Sequence, residues 1–390
     1  MGAHALRVLD RAEGPRSFRS RAGAWKRAKG GSSAPPHSQR NLDVENRAVA
    51  PRSPQRATAD AMRPALLIAL LCGLSAVLFG LNLLTGSTSL DDATLAGTLL
   101  SLRAARGAVA YFAGAALAVA GVIVQGLFRN PVASPDMLGT SAGATFMGKV
   151  SLLLFQALLL QSPLPGVEPE MLLPVGCFVG ALVGLVMLLA IARRAESSVV
   201  LLLSGFLLSS LFLSLGSFVT SIAQESWEVG RAVIAFALGS VTGASSRQVA
   251  MVAPVVIVGT AAATLWARPL DLLLSGEDEA KVLGLDVRTT RRWCIAWAAL
   301  LTAGAVSVGG SVGFVGLVVP HGIRSAIGVA HRTLVPASAL GGGAFLLACD
   351  IVARLIPART EIPLGVITGV VGAPMFLWLL LRSRPEVLDG

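Results

Sequence analysis

The feature that most constrains this chain is a series of apolar runs, most of them close to the ~20 residues that a helix needs to cross a bilayer. Hydrophobic residues make up 54% of the sequence and charged residues 14%, whereas soluble domains carry about 25% charge. The sequence therefore predicts an all-α polytopic membrane protein, a bundle of about ten transmembrane helices. The ten predicted spans are 64–84, 107–127, 137–160, 172–192, 199–222, 248–266, 293–309, 311–326, 334–356 and 363–381.

Positive charge is distributed unevenly between the two sets of loops that these spans define. With a cytoplasmic N-terminus, the inner loops carry twelve Lys and Arg residues and the outer loops carry six. Because membrane proteins retain Lys and Arg in their cytoplasmic loops, this bias favours that orientation. An even number of spans then places both termini of this multi-pass protein in the cytoplasm. The seventh and eighth spans are divided only by Gly309 and Gly310.

Residues 1–61 form a basic segment rich in Arg, Ser, Pro, Gly and Ala, without a hydrophobic period. Residues 1–63 hold 13 of the 32 Lys and Arg residues, so the pI near 10.6 reflects this tail and does not indicate a nucleic-acid partner. Such a segment cannot bury enough apolar surface to fold alone and is predicted to be disordered. Three interpretations stay open: a cytoplasmic tail attracted to anionic membrane lipid, an organelle-type presequence, or a mis-assigned start with translation beginning at Met62.

Several residue patterns that carry chemistry are absent from the sequence. The cysteines at 72, 177, 294 and 349 stand singly in apolar runs, which is typical of packing residues rather than of a disulfide or a metal site. Neither a phosphate-binding GxxxxGK(S/T) loop nor an HExxH pair occurs, and no nucleophile–base arrangement is recognisable. The sequence therefore predicts a chain that is not an enzyme, has no cofactor or metal of its own, and cannot hydrolyse ATP.

One segment, residues 121–143, combines helix-breaking dipeptides with small residues. Asn130-Pro131 and Ser134-Pro135 interrupt the helix, because proline lacks an N–H and disfavours α geometry in the preceding residue. Asp136 is then placed to cap the third span. In length and order this segment resembles the signature of permeases for iron–siderophores, haem and vitamin B12, the FecCD family. The residues that carry the resemblance are Gln125, Gly126, Arg129, Asn130, Pro131, Pro135, Gly139 and Gly143.

A second block, residues 309–324, resembles the second signature of the same family. Its matching residues are Gly313, Phe314, Gly316, Pro320, His321 and Arg324, and further similar blocks follow as far as residue 384. His321 has no partner at helical spacing, which favours a structural role. Asp350 and Arg354 are four apart with the acid first, a favourable helical pair. Lys149 falls inside the third span, and the sequence assigns it no role.

The resemblance implies a function that composition alone does not give. It implies that residues 62–390 form the permease subunit of an ATP-driven ABC importer for a metal chelate, most simply an iron–siderophore complex, with haem and cobalamin as alternatives. It implies a homodimer, two separate ATPase subunits and a periplasmic or lipid-anchored substrate-binding protein.

The alternative function, from another class, is a secondary transporter driven by an ion gradient. That class needs polar or broken-helix sites at the membrane midplane, and the spans contain almost no central carboxylates.

The residues 274–288 form a polar insert between the sixth and seventh spans. Three acids favour the N-terminus of a short helix and Gly284 favours its end, so that Ala280 and Leu283 are predicted to lie on one side. By resemblance this is the coupling helix that contacts the ATPase. Its candidate residues are Glu277, Glu279, Ala280, Leu283 and Gly284.

Two further sites are implied by resemblance alone. Arg103, Arg106 and Arg354 match the basic residues that meet acidic residues of the binding protein on the outer face. Ser197 and Ser198 match the short loop that narrows the cytoplasmic exit.

Overall fold

The structure is a computed structural model, and it describes residues 64–86, 93–161, 169–193, 198–356 and 362–382. Within these ranges the regular structure is entirely helical, which confirms the predicted fold class. The helices are α1 (Pro64–Leu84), α2 (Ala93–Phe128), a 3₁₀ turn (Pro135–Leu138), α3 (Thr140–Gln161), α4 (Pro169–Ala192), α5 (Ser198–Ala223), α6 (Trp227–Leu238), α7 (Ser246–Leu265), α8 (Ala267–Leu274), α9 (Glu277–Val282), α10 (Val287–Gly309), α11 (Val315–Ile327), α12 (His331–Leu355) and α13 (Leu364–Arg382).

All ten predicted spans coincide with helices, and among the described residues seven helices are long and apolar enough to cross a membrane. Helix α2 begins at Ala93 rather than near residue 107. The eighth predicted span is shorter than expected, because α11 begins at Val315 and its 13 residues extend only ~20 Å. Gly310 and Phe314, with φ of 67° and 68°, hold the preceding segment out of helical geometry. The sequence did not predict α6, a 12-residue helix.

Helix α2 is the centre of the bundle. Of the 18 residues in its most apolar stretch, 83% are buried. Helices α10 and α12 are the next most buried spans. Helix α1 lies at the periphery, because only 6% of its most apolar stretch is buried. It exposes Leu66, Leu70 and Leu74, which recur at a spacing of four and form one apolar face. Such a face suits contact with lipid tails, because there is no water at that depth to penalise it.

Small residues set the distance between the central helices. At Gly114 of α2, an added Cβ would lie 2.7 Å from Cβ of Leu346 and would also collide with the carbonyl of Gly342 on α12. The two backbones therefore approach closely at this crossing, as small residues permit in membrane bundles. This tight crossing fixes the separation of α12 from α2 at that point.

Candidate functional site

The two signature blocks meet where α2 crosses the start of α11. The Gln125 side-chain amide donates from Nε2 to the carbonyl oxygens of Gly316 and Leu317, at 3.3 Å each. An added Cβ at Gly121 would lie 2.7 Å from Cα of Gly316, and one at Gly316 would lie 3.0 Å from the Pro135 ring. Two segments almost 200 residues apart therefore form one buried junction.

The loop that follows α2 is shaped by polar contacts within the first signature. The Asn130 N–H donates to the carbonyl of Gln125 at 3.1 Å, and the Val132 N–H donates to Asn130 Oδ1 at 2.9 Å. Arg129 has a φ of 50°, which L-residues seldom adopt. Pro131 follows directly. The loop therefore turns sharply, as the sequence predicted.

The predicted cap at Asp136 is wrong. Ser134 caps the 3₁₀ turn that Pro135 opens, by accepting from the Asp136 N–H, and Asp136 itself lies inside that turn. Gly139 then ends the turn with a φ of 77°, before α3 starts at Thr140. The turn is separate because Pro135 starts helical geometry five residues before α3 begins at Thr140, and Gly139 interrupts it.

The remaining signature residues pack against neighbouring helices. An added Cβ at Gly143 would collide with the carbonyl oxygen of Gly180 on α4, and Gly126 faces the His331 ring. Pro320 is buried within α11. The His321 ring lies edge-on to Phe376 with centroids 6.3 Å apart. The other signature positions of α11 are Gly313 just before it and Arg324 in its last turn.

The His321 imidazole is not fully satisfied. Its Nδ1 is buried and has no hydrogen-bond partner among the described residues. The ring contact with Phe376 agrees with the structural role that the sequence favours.

The predicted short helix in the polar insert is present as α9. Glu277, Asp278 and Glu279 occupy its first turn, where carboxylates interact favourably with the helix dipole. Gly284, with a φ of 85°, ends it. The Gly284 N–H donates to the Lys281 carbonyl and the Leu285 N–H donates to the Ala280 carbonyl, both at 2.9 Å. This pair of hydrogen bonds is a Schellman motif.

The two apolar residues that the sequence placed together lie on different sides of α9. Ala280 is fully buried, whereas Leu283 is 62% exposed and Val282 is 87% exposed. Ala280 therefore packs α9 onto its neighbours, and the accessible apolar surface is the pair Val282–Leu283. Periodicity could not show this, because a helix of 6 residues has too few turns to define a face.

One ion pair and one contact between a carboxylate and an imidazole hold the insert and the helix before it to the bundle. Glu277 Oε1 of α9 lies 2.7 Å from Arg291 Nη2 of α10. On α8, Asp271 Oδ1 accepts from the His331 N–H at 3.0 Å and lies 2.6 Å from His331 Nδ1. The sequence analysis missed the second contact, because its partners are 60 residues apart. It ties α8 to the first residue of α12.

Carboxylates on the exposed side of the insert favour their charged form. The hydrogen bond from Lys281 holds the pKa of Asp278 below its ordinary value, and the charge of the same ammonium acts in the same direction. Hydrogen bonds from the Thr289 hydroxyl and N–H lower the pKa of Asp286, which caps α10. The insert therefore presents ionised acids next to the apolar pair.

The three arginines implied for docking lie in one cluster. Arg106 donates from Nε and Nη2 to Asp350 Oδ1 at 3.0 and 2.9 Å, and Arg354 Nη2 lies 3.0 Å from Asp350 Oδ2. Arg354 also donates to the Asn82 side-chain oxygen, and Asn82 Nδ2 donates to the Arg103 carbonyl at 2.8 Å. The predicted pair of Asp350 and Arg354 is thus confirmed, and two guanidinium groups share one buried carboxylate.

Arg103 has an internal role as well. Its Nη1 donates to the Leu83 carbonyl at 2.9 Å, where a cation interacts favourably with the C-terminal end of α1. The three guanidinium groups thus join α1, α2 and α12 at one end of the bundle. Their role in docking stays a prediction, and any test of it has to separate docking from these contacts.

The predicted cytoplasmic gate stays untested. Ser197 lies outside the described residues, and Ser198 is known only as the first residue of α5. The tail 1–61 also lies outside the described residues.

Lys149, which the sequence left without a role, joins two helices. Its buried ammonium donates from Nζ to the Gly216 carbonyl at 3.2 Å and to Thr220 Oγ1 at 3.0 Å, both on α5. A charged side chain is costly at membrane depth unless it is paired or hydrogen-bonded. In the sequence, the many serine and threonine residues of α5 could have indicated that this helix offers a partner to Lys149.

The fold and these contacts define a class of protein. Its long apolar helices pack through small residues, its buried polar groups bond helices to one another, and a capped acidic turn projects at one end. This is the architecture of a multi-span membrane permease. The model of the FecCD transport family matches residues 65–382, and the chain belongs to that family.

Curated relatives cover most of this chain. It is 41% identical over 273 residues to the cobalamin import permease BtuC of Halobacterium salinarum, covering 70% of this chain and 69% of that one. It is 38% identical to the Fe(3+) dicitrate permease FecD of Escherichia coli, over 73% of this chain and 86% of that one. It is 36% identical to the hemin permease HmuU of Yersinia pestis, over 77% and 87%.

A solved structure shares the fold. It was described as an inward-facing conformation assigned to a metal-chelate type ABC transporter, and it superposes with a TM-score of 0.72 at 27% identity, covering 82% of this chain and 100% of that one. Members of the FecCD family are permeases of ABC importers rather than enzymes, and ATP hydrolysis belongs to a separate subunit. Family membership thus implies ATP-driven coupling and argues against the ion-gradient alternative.

Proposed function

We propose that two copies of this chain form the pathway through which an ATP-driven importer carries a metal chelate, an iron–siderophore complex, across the bacterial inner membrane. The observation that carries the proposal is the family match over residues 65–382, which contains every described helix except one residue of α1. The resemblance to a transporter of metal-chelate type supports the substrate class. Iron citrate, the cargo in the name of one relative, is itself an iron chelate.

Cobalamin and haem are the second candidates, since the names of two other relatives specify them. These cargoes share a large size and a metal held inside an organic ligand. Small residues such as Gly114 and Gly342 lie at helix contacts of the bundle, and they do not distinguish one such ligand from another.

Uptake measurements separate the candidates. Cells that lack the gene, and the same cells complemented with it, are given radiolabelled ferric siderophore, ferric citrate, hemin and cyanocobalamin in parallel. Gene-dependent uptake of ferric siderophore alone is expected. Gene-dependent uptake of hemin or cyanocobalamin without ferric siderophore contradicts the iron assignment, and uptake of none of the four contradicts the importer.

Energy coupling is proposed to pass through the 274–288 insert. The support is that α9 is anchored and also accessible. Ala280 is buried and Glu277 is paired with Arg291, which anchors the helix. Val282 and Leu283, the C-terminal tip of α9, are exposed. An apolar pair on a rigid turn is the kind of anchor that fills a pocket on a partner. The partner proposed for it is the ATPase subunit.

The outer arginine cluster is proposed to dock the binding protein. The support is that Arg103, Arg106 and Arg354 lie together at one end of the bundle. Grouped basic residues favour a partner surface of the opposite sign. Both termini are proposed to lie in the cytoplasm, on the side of the insert.

A further inference from the structure

A cavity of about 690 Å³ lies between the C-terminal end of α4, helix α9 and the N-terminal turns of α10. Among its described lining residues the basic ones outnumber the acidic ones five to one. The basic residues are Arg193, Lys281, Arg288, Arg291 and Arg292, and the acid is Glu277. A concave site with this balance attracts an anion.

Two of the five cations already have acidic partners. Lys281 pairs with Asp278 at 2.8 Å and Arg291 with Glu277 at 2.7 Å. The other three, Arg193, Arg288 and Arg292, are exposed, and within the part of the chain that the structure describes their side chains form no hydrogen bond or ion pair. Arg292 interacts electrostatically with exposed Asp286, but no direct contact with a described residue holds any of these three guanidinium groups away from a ligand.

The inner wall of the cavity is apolar and leads onto the outer surface of α4. Leu189, Ala192 and Ile295 line the wall. Leu182, Val186 and Leu189 of α4 share one face with Arg193, which directly follows the helix and continues its hydrogen bonding to Leu189. Leu182 and Val186 are 56% and 58% exposed. One continuous stripe thus runs from an exposed apolar surface to a guanidinium group.

Two tryptophans near the cavity favour a position at the depth of lipid headgroups. Trp266 and Trp293 are partly exposed, and their rings lie 6.1 Å apart. Tryptophan is enriched at the membrane–water interface. Because Trp293 follows Arg292 directly in α10, the basic cavity lies at that level.

We propose that this cavity binds the phosphate headgroup of an anionic phospholipid, with an acyl chain lying along the Leu182–Val186 face of α4. Basic pockets between transmembrane helices are suited to such headgroups. The proposal goes beyond the transport function and requires only that the chain is inserted in a membrane.

Lipid fits the cavity better than the other anions that could enter it. Inorganic phosphate would use the guanidinium groups but leave the apolar stripe without a ligand. An acidic protein surface would also leave the α4 face uncovered, because that face lies at membrane depth. A phospholipid satisfies the charged and the apolar parts at once.

Native mass spectrometry of the purified chain in detergent tests the proposal. Wild-type protein is titrated with phosphatidylglycerol and, separately, with phosphatidylcholine. The test variant is Arg288→Gln/Arg292→Gln. The matched control is Arg268→Gln/Arg332→Gln, which removes the same charge from exposed residues outside the cavity.

Wild type and control are expected to retain phosphatidylglycerol preferentially. The test variant is expected to bind it about thirtyfold more weakly, since each basic residue near an anionic surface strengthens binding by roughly fivefold. Equal retention by test and control variants overturns the proposal, as does equal binding of the two lipids by wild type. Protection of the protein against heat by inorganic phosphate as strong as by phosphatidylglycerol also overturns it, in favour of a free-anion site.

Discussion

Arg106 and Asp350, which are 244 residues apart in the chain, are joined by hydrogen bonds from both Nε and Nη2 to one carboxylate oxygen. Arg354 contacts the second carboxylate oxygen from the same helix as Asp350, one turn later. Asp350 is fully buried, so its charge depends on these two partners. Without them, burial of a carboxylate would be very unfavourable.

Replacing Asp350 by Asn is therefore expected to destabilise the fold by about 3–5 kcal/mol, because it leaves two guanidinium groups without their shared anion. Denaturant titration in mixed micelles measures the change in unfolding free energy. Asp286→Asn is the control, since that residue is exposed and Asn also caps helices well. A similar small effect in both variants would contradict the role assigned to the cluster.

The junction of the two signatures gives a second prediction. Gly121→Ala places a Cβ against the backbone of Gly316, which cannot move without shifting α11. We expect a loss of about 1–3 kcal/mol, as for other overpacked sites. Gly322→Ala on α11 is the control, because an added Cβ there meets no atom within 4 Å. That variant is expected to be neutral or slightly stabilising. Equal stability of the two variants would show that the junction can relax.

The sequence was sufficient for features that depend on local pattern. Apolar runs located the ten predicted helices, the acids and Gly284 located both ends of α9, and the four-residue spacing located the pair of Asp350 and Arg354. The early start of α2 was missed because Arg103 and Arg106 interrupt the apolar run. Tertiary contact makes this polar stretch helical, since both side chains reach partners on α1 and α12.

Contacts between distant segments could not be predicted from local pattern. The partner of Arg106 is on a helix 244 residues away, and the burial of Ala280 depends on how α9 lies on its neighbours. Helix α6 was missed because its 12 residues are too few for a span.

The exposed tip of α9 gives a third prediction. Val282→Ser/Leu283→Ser removes apolar surface without disturbing the fold, because both side chains are exposed. If this tip contacts the ATPase, its affinity for the ATPase subunit is expected to fall about tenfold or more, as for other interface anchors. Uptake is expected to fall with it. Ala280→Arg is less informative, since Ala280 is buried and the larger side chain would alter packing.

Val329→Ser is the control for this experiment. Val329 is also an exposed apolar residue, in the turn between α11 and α12. Binding measured between the purified permease and ATPase is expected to be unchanged by this substitution. Equal binding by the tip variant and the control would remove the insert from the coupling site.

Deletion of residues 1–61 is expected to leave uptake unchanged, because the family match begins only at residue 65 and the tail lacks a foldable pattern. Uptake is compared at equal abundance of the two proteins in the membrane. A large loss at equal abundance would assign the tail a function in transport.

Docking of the binding protein gives the final prediction, and Arg103 offers the cleanest test. Arg106 and Arg354 contact buried Asp350, whereas the contact shown for the Arg103 side chain, which is itself only 8% exposed, is with a backbone carbonyl of α1. Arg103→Gln removes the charge but retains a donor, and Arg103→Lys retains both.

If Arg103 attracts acidic residues of the binding protein, the Gln variant should associate with it about three- to fivefold more slowly at low salt. This is the effect of up to ~1 kcal/mol from a screened ion pair. The Lys variant should match wild type, and the difference should vanish at high salt because charges are then screened. Association rates are measured with the reconstituted transporter, and identical rates for the Gln and Lys variants at low salt would contradict a role for Arg103 in docking.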